Sequence, residues 1–319
     1  MILLLQYTLI FASVLLLVAL GGCFSEHGGV INIGLEGIMV MGALGGALTM
    51  KYLPADMPAA VVILIVILAC AVVGMLFSLL LGVAAIRFNA DQTLVGTALN
   101  LLGPAAAVVL VRAINMAEDA NNVSSTVAYG TAKKAFTTNI GSFELNWFML
   151  VALLVLIASY IVLYKTRFGL RLCACGEHPQ AADSVGINVY KMRYAGTTIS
   201  GALAGMGGFV YALTTANCAS TGEVAGFGFL ALAVMIFGNW KPLNIAGAAL
   251  LFGLFKCIAA SYTSIDINGD GVFLLAQLGI SPHIYRMLPY LVTLVVLAFT
   301  SKKSRAPKAE GIPYDKGKR

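Results

Sequence analysis

A carboxylate set in an apolar run is the sharpest chemical feature of this sequence. Glu36 follows Ile31-Asn32-Ile33-Gly34-Leu35 and precedes Gly37-Ile38-Met39. An acid in such company either lies within the bilayer and faces a cavity or a partner, because burying its charge is costly, or caps a helix at the membrane edge. Asn32 beside it either hydrogen-bonds a polar solute or satisfies backbone freed by a helix break. Further on, Thr93, Thr97 and Asn100 are spaced at four and three, so they share one helix face. That polar stripe either lines a pathway or makes interhelical hydrogen bonds.

A second stretch of interest, Phe168 to Val189, is the longest polar interruption in the middle of the chain. Pro179 suits a first helical position and Gly186 the residue just past a helix end, so about two turns of helix are expected between them. With Arg171, Lys191 and Arg193 around it, this small helix either presents a docking knob to a cytoplasmic partner or is an ordinary charged connection. Two weaker signals accompany it. Cys173, Cys175 and His178 offer three metal ligands, but the C-x-C spacing lacks a fourth. Asp266-Ile267-Asn268-Gly269-Asp270-Gly271 resembles the first half of a calcium loop, yet position twelve is Gln277 instead of a bidentate Glu, so residues 266–277 are expected to form a polar external turn.

Other chemistry is missing. No G-x-x-x-x-G-K-[ST] phosphate loop, no Ser/His/Asp set and no H-E-x-x-H helix stands out, and His27, His178 and His283 are scattered. The residues therefore point away from an enzyme, imply no cofactor, and leave any ATP hydrolysis to another subunit.

What must position these residues is a membrane-embedded scaffold. The 319 residues are 60% hydrophobic and only 11% charged, which excludes an ordinary soluble domain. Uncharged stretches long enough to cross a ~30 Å hydrocarbon core recur, and no alternating β pattern competes, so the expected class is all-α and polytopic. The net charge of +6 does not signal nucleic acid, because much of it sits in the tail 302–319. That tail and the loop 168–193 are the most basic segments and should both be cytoplasmic.

Working outward from them places crossings at 2–20, 33–50, 59–86, 92–111, 145–164, 194–214, 226–237, 245–260 and 285–300. The count is about nine, with eight or ten also open and the first residue outside. A discontinuous helix is expected near 31–38, and the short, glycine-flanked 226–237 reads as broken or re-entrant. Residues 1–301 form the transmembrane domain, and Leu20-Gly21-Gly22-Cys23, with no Lys or Arg before it, reads as part of a retained first helix. The six cysteines read as small buried hydrophobes. Gly201, Gly205 and Gly208 suit close helix packing. Gly34-Leu35-Glu36-Gly37 echoes Thr221-Gly222-Glu223-Val224, and paired glycine-interrupted segments of this kind point to a transport pathway.

Four groups of residues carry a family resemblance: Ile31 to Met39; Ala90-Asp91-Gln92 with Gly96 to Asn100; Gly176 to Ala182 with Gly186-Ile187; and Ala231 to Val234 with Phe237-Gly238. In this order they resemble the permeases of bacterial ABC importers in the branched-chain amino acid, simple sugar and nucleoside superfamily. The nearest likeness is to the shorter of the two paired permeases of nucleoside transporters. The resemblance implies that Gly176–Gly186 is the coupling helix, with Gly176, Glu177, Pro179, Ala181, Ala182 and Gly186 engaging a separate ABC ATPase. It also implies a second permease as heterodimer partner, an extracytoplasmic substrate-binding lipoprotein, a lipid surround and a place in the bacterial cytoplasmic membrane. His178 departs from the pattern, since Asn is more usual there and caps a helix better. Asn32, Glu36, Thr97 and Asn100 are the expected pathway residues. Sugar or branched-chain amino acid permeases share this architecture, and a secondary transporter working alone would need more intramembrane carboxylates than Glu36 and Glu223.

Overall fold

Long apolar runs with capped ends produce a bundle of helices. The computed structural model describes residues 2–54, 56–128, 136–141, 143–214, 219–262, 281–300 and 305–317, so the 266–277 turn lies outside the described residues. The helices are α1 (Ile2–His27), α2 (Leu35–Tyr52), α3 (Ala59–Gly82, prolonged by a wider turn over Val83–Arg87), α4 (Gln92–Glu118), α5 (Trp147–Lys165), α6 (Arg167–Glu177), α7 (Pro179–Ser184), α8 (Val189–Thr214), α9 (Phe227–Phe237), α10 (Pro242–Ser261) and α11 (Pro282–Thr300). Caps match the local sequence: Asp91 accepts the Leu94 N–H at 2.9 Å to start α4, and Asn146 accepts the Phe148 N–H at 2.9 Å to start α5.

The polytopic helical class holds. Among the described residues, five helices (α1, α3 with its extension, α4, α5 and α10) are long and apolar enough to cross a membrane. α9, with 11 residues, spans only ~16 Å, about half the hydrocarbon thickness. The class differs from purely helical in two small antiparallel ladders, β1 (Val127–Ala128) with β4 (Ala219–Ser220) and the hairpin β2 (Thr137–Ile140) with β3 (Phe143–Asn146). These pair backbone groups of the connections that join α4 to α5 and α8 to α9, which no helix satisfies. α1 runs to His27 instead of ending near Leu20, and α4 continues past Val111 to Glu118, where the carboxylate meets Lys51 Nζ at 2.6 Å and the Tyr52 hydroxyl at 2.8 Å.

α8 runs through the middle, against α1, α2 and α3. Its glycines permit this: a Cβ on Gly42 would meet the Gly205 backbone at 2.2 Å, and one on Gly74 would meet the Gly201 carbonyl at 2.2 Å. Small residues let three backbones approach one another, which is how helices gain packing where lipid offers no hydrophobic drive. Large apolar side chains remain exposed on α3, α4 and α5, among them Leu64, Leu76, Leu101, Val109, Leu154 and Ile157. Such an outer face is suited to lipid or to another apolar subunit.

The chain end returns to the bundle. Residues 305–317 lie as a strap across α6 and α8: Ala309 N–H donates to the Gly176 carbonyl (2.8 Å), Arg193 Nη1 to the Ile312 carbonyl (3.0 Å) and Arg305 N–H to Asn239 Oδ1 (2.8 Å). Tyr314 is buried, its ring edge-on to Tyr190 at 5.2 Å.

Candidate translocation site and coupling surface

The seven residues between α1 and α2 leave the helical path, and side chains of α4 complete their hydrogen bonds. Gln92 Oε1 accepts the Ile31 N–H (2.7 Å), Asn100 Nδ2 donates to the Ile33 carbonyl (2.9 Å), and Asn100 Oδ1 accepts the Gly37 N–H (2.9 Å). Irregular backbone inside a membrane protein needs such partners, because lipid supplies none. Asn32 is fully buried and donates to Ser200 Oγ on α8 at 2.8 Å, while its Oδ1 has no partner among the described residues.

Glu36 stands in the first turn of α2 and reaches across to α9. Its Oε1 accepts the Gly226 N–H (2.7 Å) and its Oε2 the Gly228 N–H (2.6 Å). Gly226 takes the left-handed conformation (φ +75°), which turns these donors inward. One carboxylate thus sits at the positive ends of two helices, α2 by position and α9 by direct hydrogen bonds. Glu36 thus holds the start of the helix that follows the echoing segment 221–224, although Glu223 itself is exposed.

The structure brings Asn32, Glu36 and Asn100 together at this break. Thr97 lies apart: it is exposed, and its hydroxyl donates back to the Thr93 carbonyl at 2.8 Å.

Lys256 on α10 was not signalled by residue pattern, because a single cation barely lowers the apolarity of that helix. The signal present in the sequence was the cation itself, inside a run otherwise free of charge from Pro242 to Ser261. Its Nζ lies 4.6 Å from the Phe227 ring centre and 5.7 Å from that of Tyr290, and it interacts electrostatically with Glu36. Lys256, Ala259, Ala260 and Tyr290 line a cavity of about 310 Å³.

The second surface is α7. Pro179 opens it as expected, and its end is closed by two backbone bonds, Gly186 N–H to Asp183 C=O (2.9 Å) and Ile187 N–H to Ala182 C=O (3.0 Å), with Gly186 at φ +84°. This pair of bonds with a left-handed glycine defines a Schellman end. His178 precedes the helix and makes no side-chain cap. Pro179 and Ala182 face inward, Ala182 packing with Cys175, Val189 and Tyr314. Gln180, Ala181, Ser184 and Val185 face outward, with Val185 73% exposed, as is Glu177 at the end of α6. Gly176 is buried, and a Cβ there would stand 2.3 Å from the His27 carbonyl. Burial pushes the Cys173 and Cys175 thiols up to about 11, which keeps them protonated. No three His, Cys, Asp or Glu side chains among the described residues are grouped to hold a metal.

Comparison with known proteins gives a consistent picture. The family model described as branched-chain amino acid transport system / permease component matches residues 4–297. The guanosine ABC transporter permease protein NupQ of Bacillus subtilis is 40% identical over 317 residues, covering 98% of this chain and 96% of that one. The nucleoside ABC transporter permease protein NupC of Lactococcus lactis is 39% identical, with 97% and 96% covered. A second permease of the same organism, NupB, is 26% identical, with 79% and 71% covered.

Proposed function

The chain belongs to the family of branched-chain amino acid transport system permease components, and within it we propose that this protein is the transmembrane subunit of an ATP-driven importer of nucleosides. As a member of that family it is a transport component and not an enzyme. The nucleoside reading is carried by the 40% identity to a guanosine permease along nearly the whole of both chains. Tertiary geometry supports a transport role. Two helix starts, α2 and α9, meet at a carboxylate, the arrangement from which pathways with discontinuous helices are built.

In this reading Asn32, Glu36 and Asn100 belong to the wall of the route, with Thr97 on the outer face of α4. About nine crossings carry residues 1–301, and the loop 168–193 and the tail 302–319 are cytoplasmic. An ABC ATPase docks on the outward face of α7, with Glu177, Ala181, Ser184 and Val185 as contacts; Gly176, Pro179, Ala182 and Gly186 set its shape. A second permease covers exposed apolar helices, as the NupB likeness suggests, and an extracytoplasmic lipoprotein delivers the solute.

The test is uptake of labelled guanosine by proteoliposomes holding the complete transporter. Uptake should require ATP inside the vesicle and should be competed by nucleosides and not by ribose or leucine. Competition by ribose or leucine alone would move the chain to the sugar or amino acid branch, and uptake without ATP would make it a secondary transporter.

A further inference from the structure

Near Glu36, α10 and α11 place a charged and an aromatic group. Among the described residues, the Lys256 ammonium makes no hydrogen bond and no ion pair within bonding distance; its neighbours are the faces of Phe227 and Tyr290 and the more distant charge of Glu36. An intramembrane cation is expensive to keep and is retained where it meets a substrate or a partner. Glu36 does not consume it, since both carboxylate oxygens are already engaged by the N–H groups of Gly226 and Gly228. Three donors therefore remain for whatever enters the adjoining cavity. At about 310 Å³ that cavity falls at the lower end of the ~300–1,000 Å³ usual for small-molecule sites.

The Tyr290 ring supplies one wall, and its hydroxyl lies by the α9 start, where a Cβ on Gly226 would meet it at 3.1 Å. The opposite charges of Lys256 and Glu36 balance, which suits a neutral solute over an anionic one. A free amino acid fits poorly, because the carboxylate its ammonium would need is held at the α9 terminus. A flat ring with acceptor atoms on its edge fits well: it can stack on Tyr290 and take hydrogen bonds from Lys256. Lysine cannot accept, so it favours an oxo group over an amino group at the six position of a purine.

We propose that Lys256 and Tyr290 form the solute-reading site of this permease, with Tyr290 stacking on the base and Lys256 donating to the edge of a 6-oxopurine nucleoside. This rests on the importer reading above and names the solute class within it.

The experiment compares guanosine with 2-aminopurine riboside, which lacks the six-position oxygen and carries a bare N1 acceptor where guanosine has an N–H. Maximal uptake rates are measured in the reconstituted transporter at solute concentrations that saturate the binding protein, so that capture drops out. The wild type should move guanosine about tenfold faster than the analogue, a loss typical of a missing partner for a charged donor. In Lys256→Met the two rates should converge, in Lys256→Arg the preference should persist, and Tyr290→Leu should slow both solutes alike. An unchanged guanosine preference in Lys256→Met, with wild-type rates in Tyr290→Leu, would overturn the site while leaving the importer reading intact. If the wild type moves no nucleoside at all, the importer reading falls and this site with it.

Discussion

Glu36 and Asn100 hold backbone in place, and that makes their substitution effects separable. Asn100 bonds the backbone on both sides of the α1–α2 break, at the Ile33 carbonyl and the Gly37 N–H. Asn100→Ala strands both groups, at ~1–3 kcal/mol for each buried group left unsatisfied. A lower midpoint in thermal unfolding of the detergent-solubilised protein is expected, with transport falling in proportion to the folded fraction. Thr97→Val serves as the control on the same helix, because its exposed hydroxyl only returns to Thr93; its midpoint should match the wild type. Glu36→Gln keeps one acceptor but turns an NH₂ group toward a backbone N–H and removes the charge at the start of α9. ATP-driven uptake should drop at least about tenfold while the protein still reaches the membrane. Wild-type uptake in Glu36→Gln would show that the joint between α2 and α9 does not take part in transport.

At the scale of elements, α7 shows what local sequence can and cannot convey. Pro179 and Gly186 mark its ends to within a residue, because capping and the left-handed C-terminal turn are settled by a few neighbouring side chains. The side that faces in packs on Tyr314, more than a hundred residues away, together with Cys175 and Val189, so its facing was not legible from α7 alone. Ala182 belongs to the packed side, and a bulky replacement there disturbs the support beneath α7 instead of its contact surface. Val185→Asp and Ala181→Glu should uncouple transport: uptake lost, thermal stability of the permease unchanged, and ATPase pull-down weakened. Ala182→Glu should instead lower the stability of the permease itself. The helices were legible from apolarity, as was the close glycine packing of α8. The ladders were not: β1 with β4 joins residues about ninety positions apart, and the strands of the β2–β3 hairpin are too short to show an alternating pattern. The polar break at 31–38 was visible, but its satisfaction by Gln92 and Asn100 depends on how α4 lies against α2, which no local pattern encodes.

For the whole molecule, the strap 305–317 ties the end of the chain to the end of α1, to α6, to α8 and to the turn between α9 and α10. That turn is unusual in holding two successive non-glycine residues with positive φ, Asn239 at +54° and Trp240 at +55°. The strain is balanced by what the turn holds: Asn239 accepts the Arg305 N–H, and Trp240 Nε1 donates to buried Glu26 at 2.5 Å. Glu310 of the strap lies beside Glu26, with its Oε2 buried and unpartnered among the described residues. Burial there pushes Glu310 up to about 7 from an ordinary 4.5. A raised carboxyl pKa means that the docked strap binds a proton more tightly than a detached one. Its contribution to docking is therefore complete below the detached value and is lost as pH rises through about 7. Neighbouring cations do not reverse this, since Arg193 bonds the Ile312 carbonyl and Arg305 acts through its backbone N–H. Limited proteolysis of the reconstituted protein should cut the strap, at exposed Lys308 or Lys316, faster at pH 8 than at pH 6 after correction for the protease's own pH dependence. Glu310→Gln, neutral at both values, should flatten that difference and keep the strap docked; a pH response as steep as the wild type's would show that another group controls the latch.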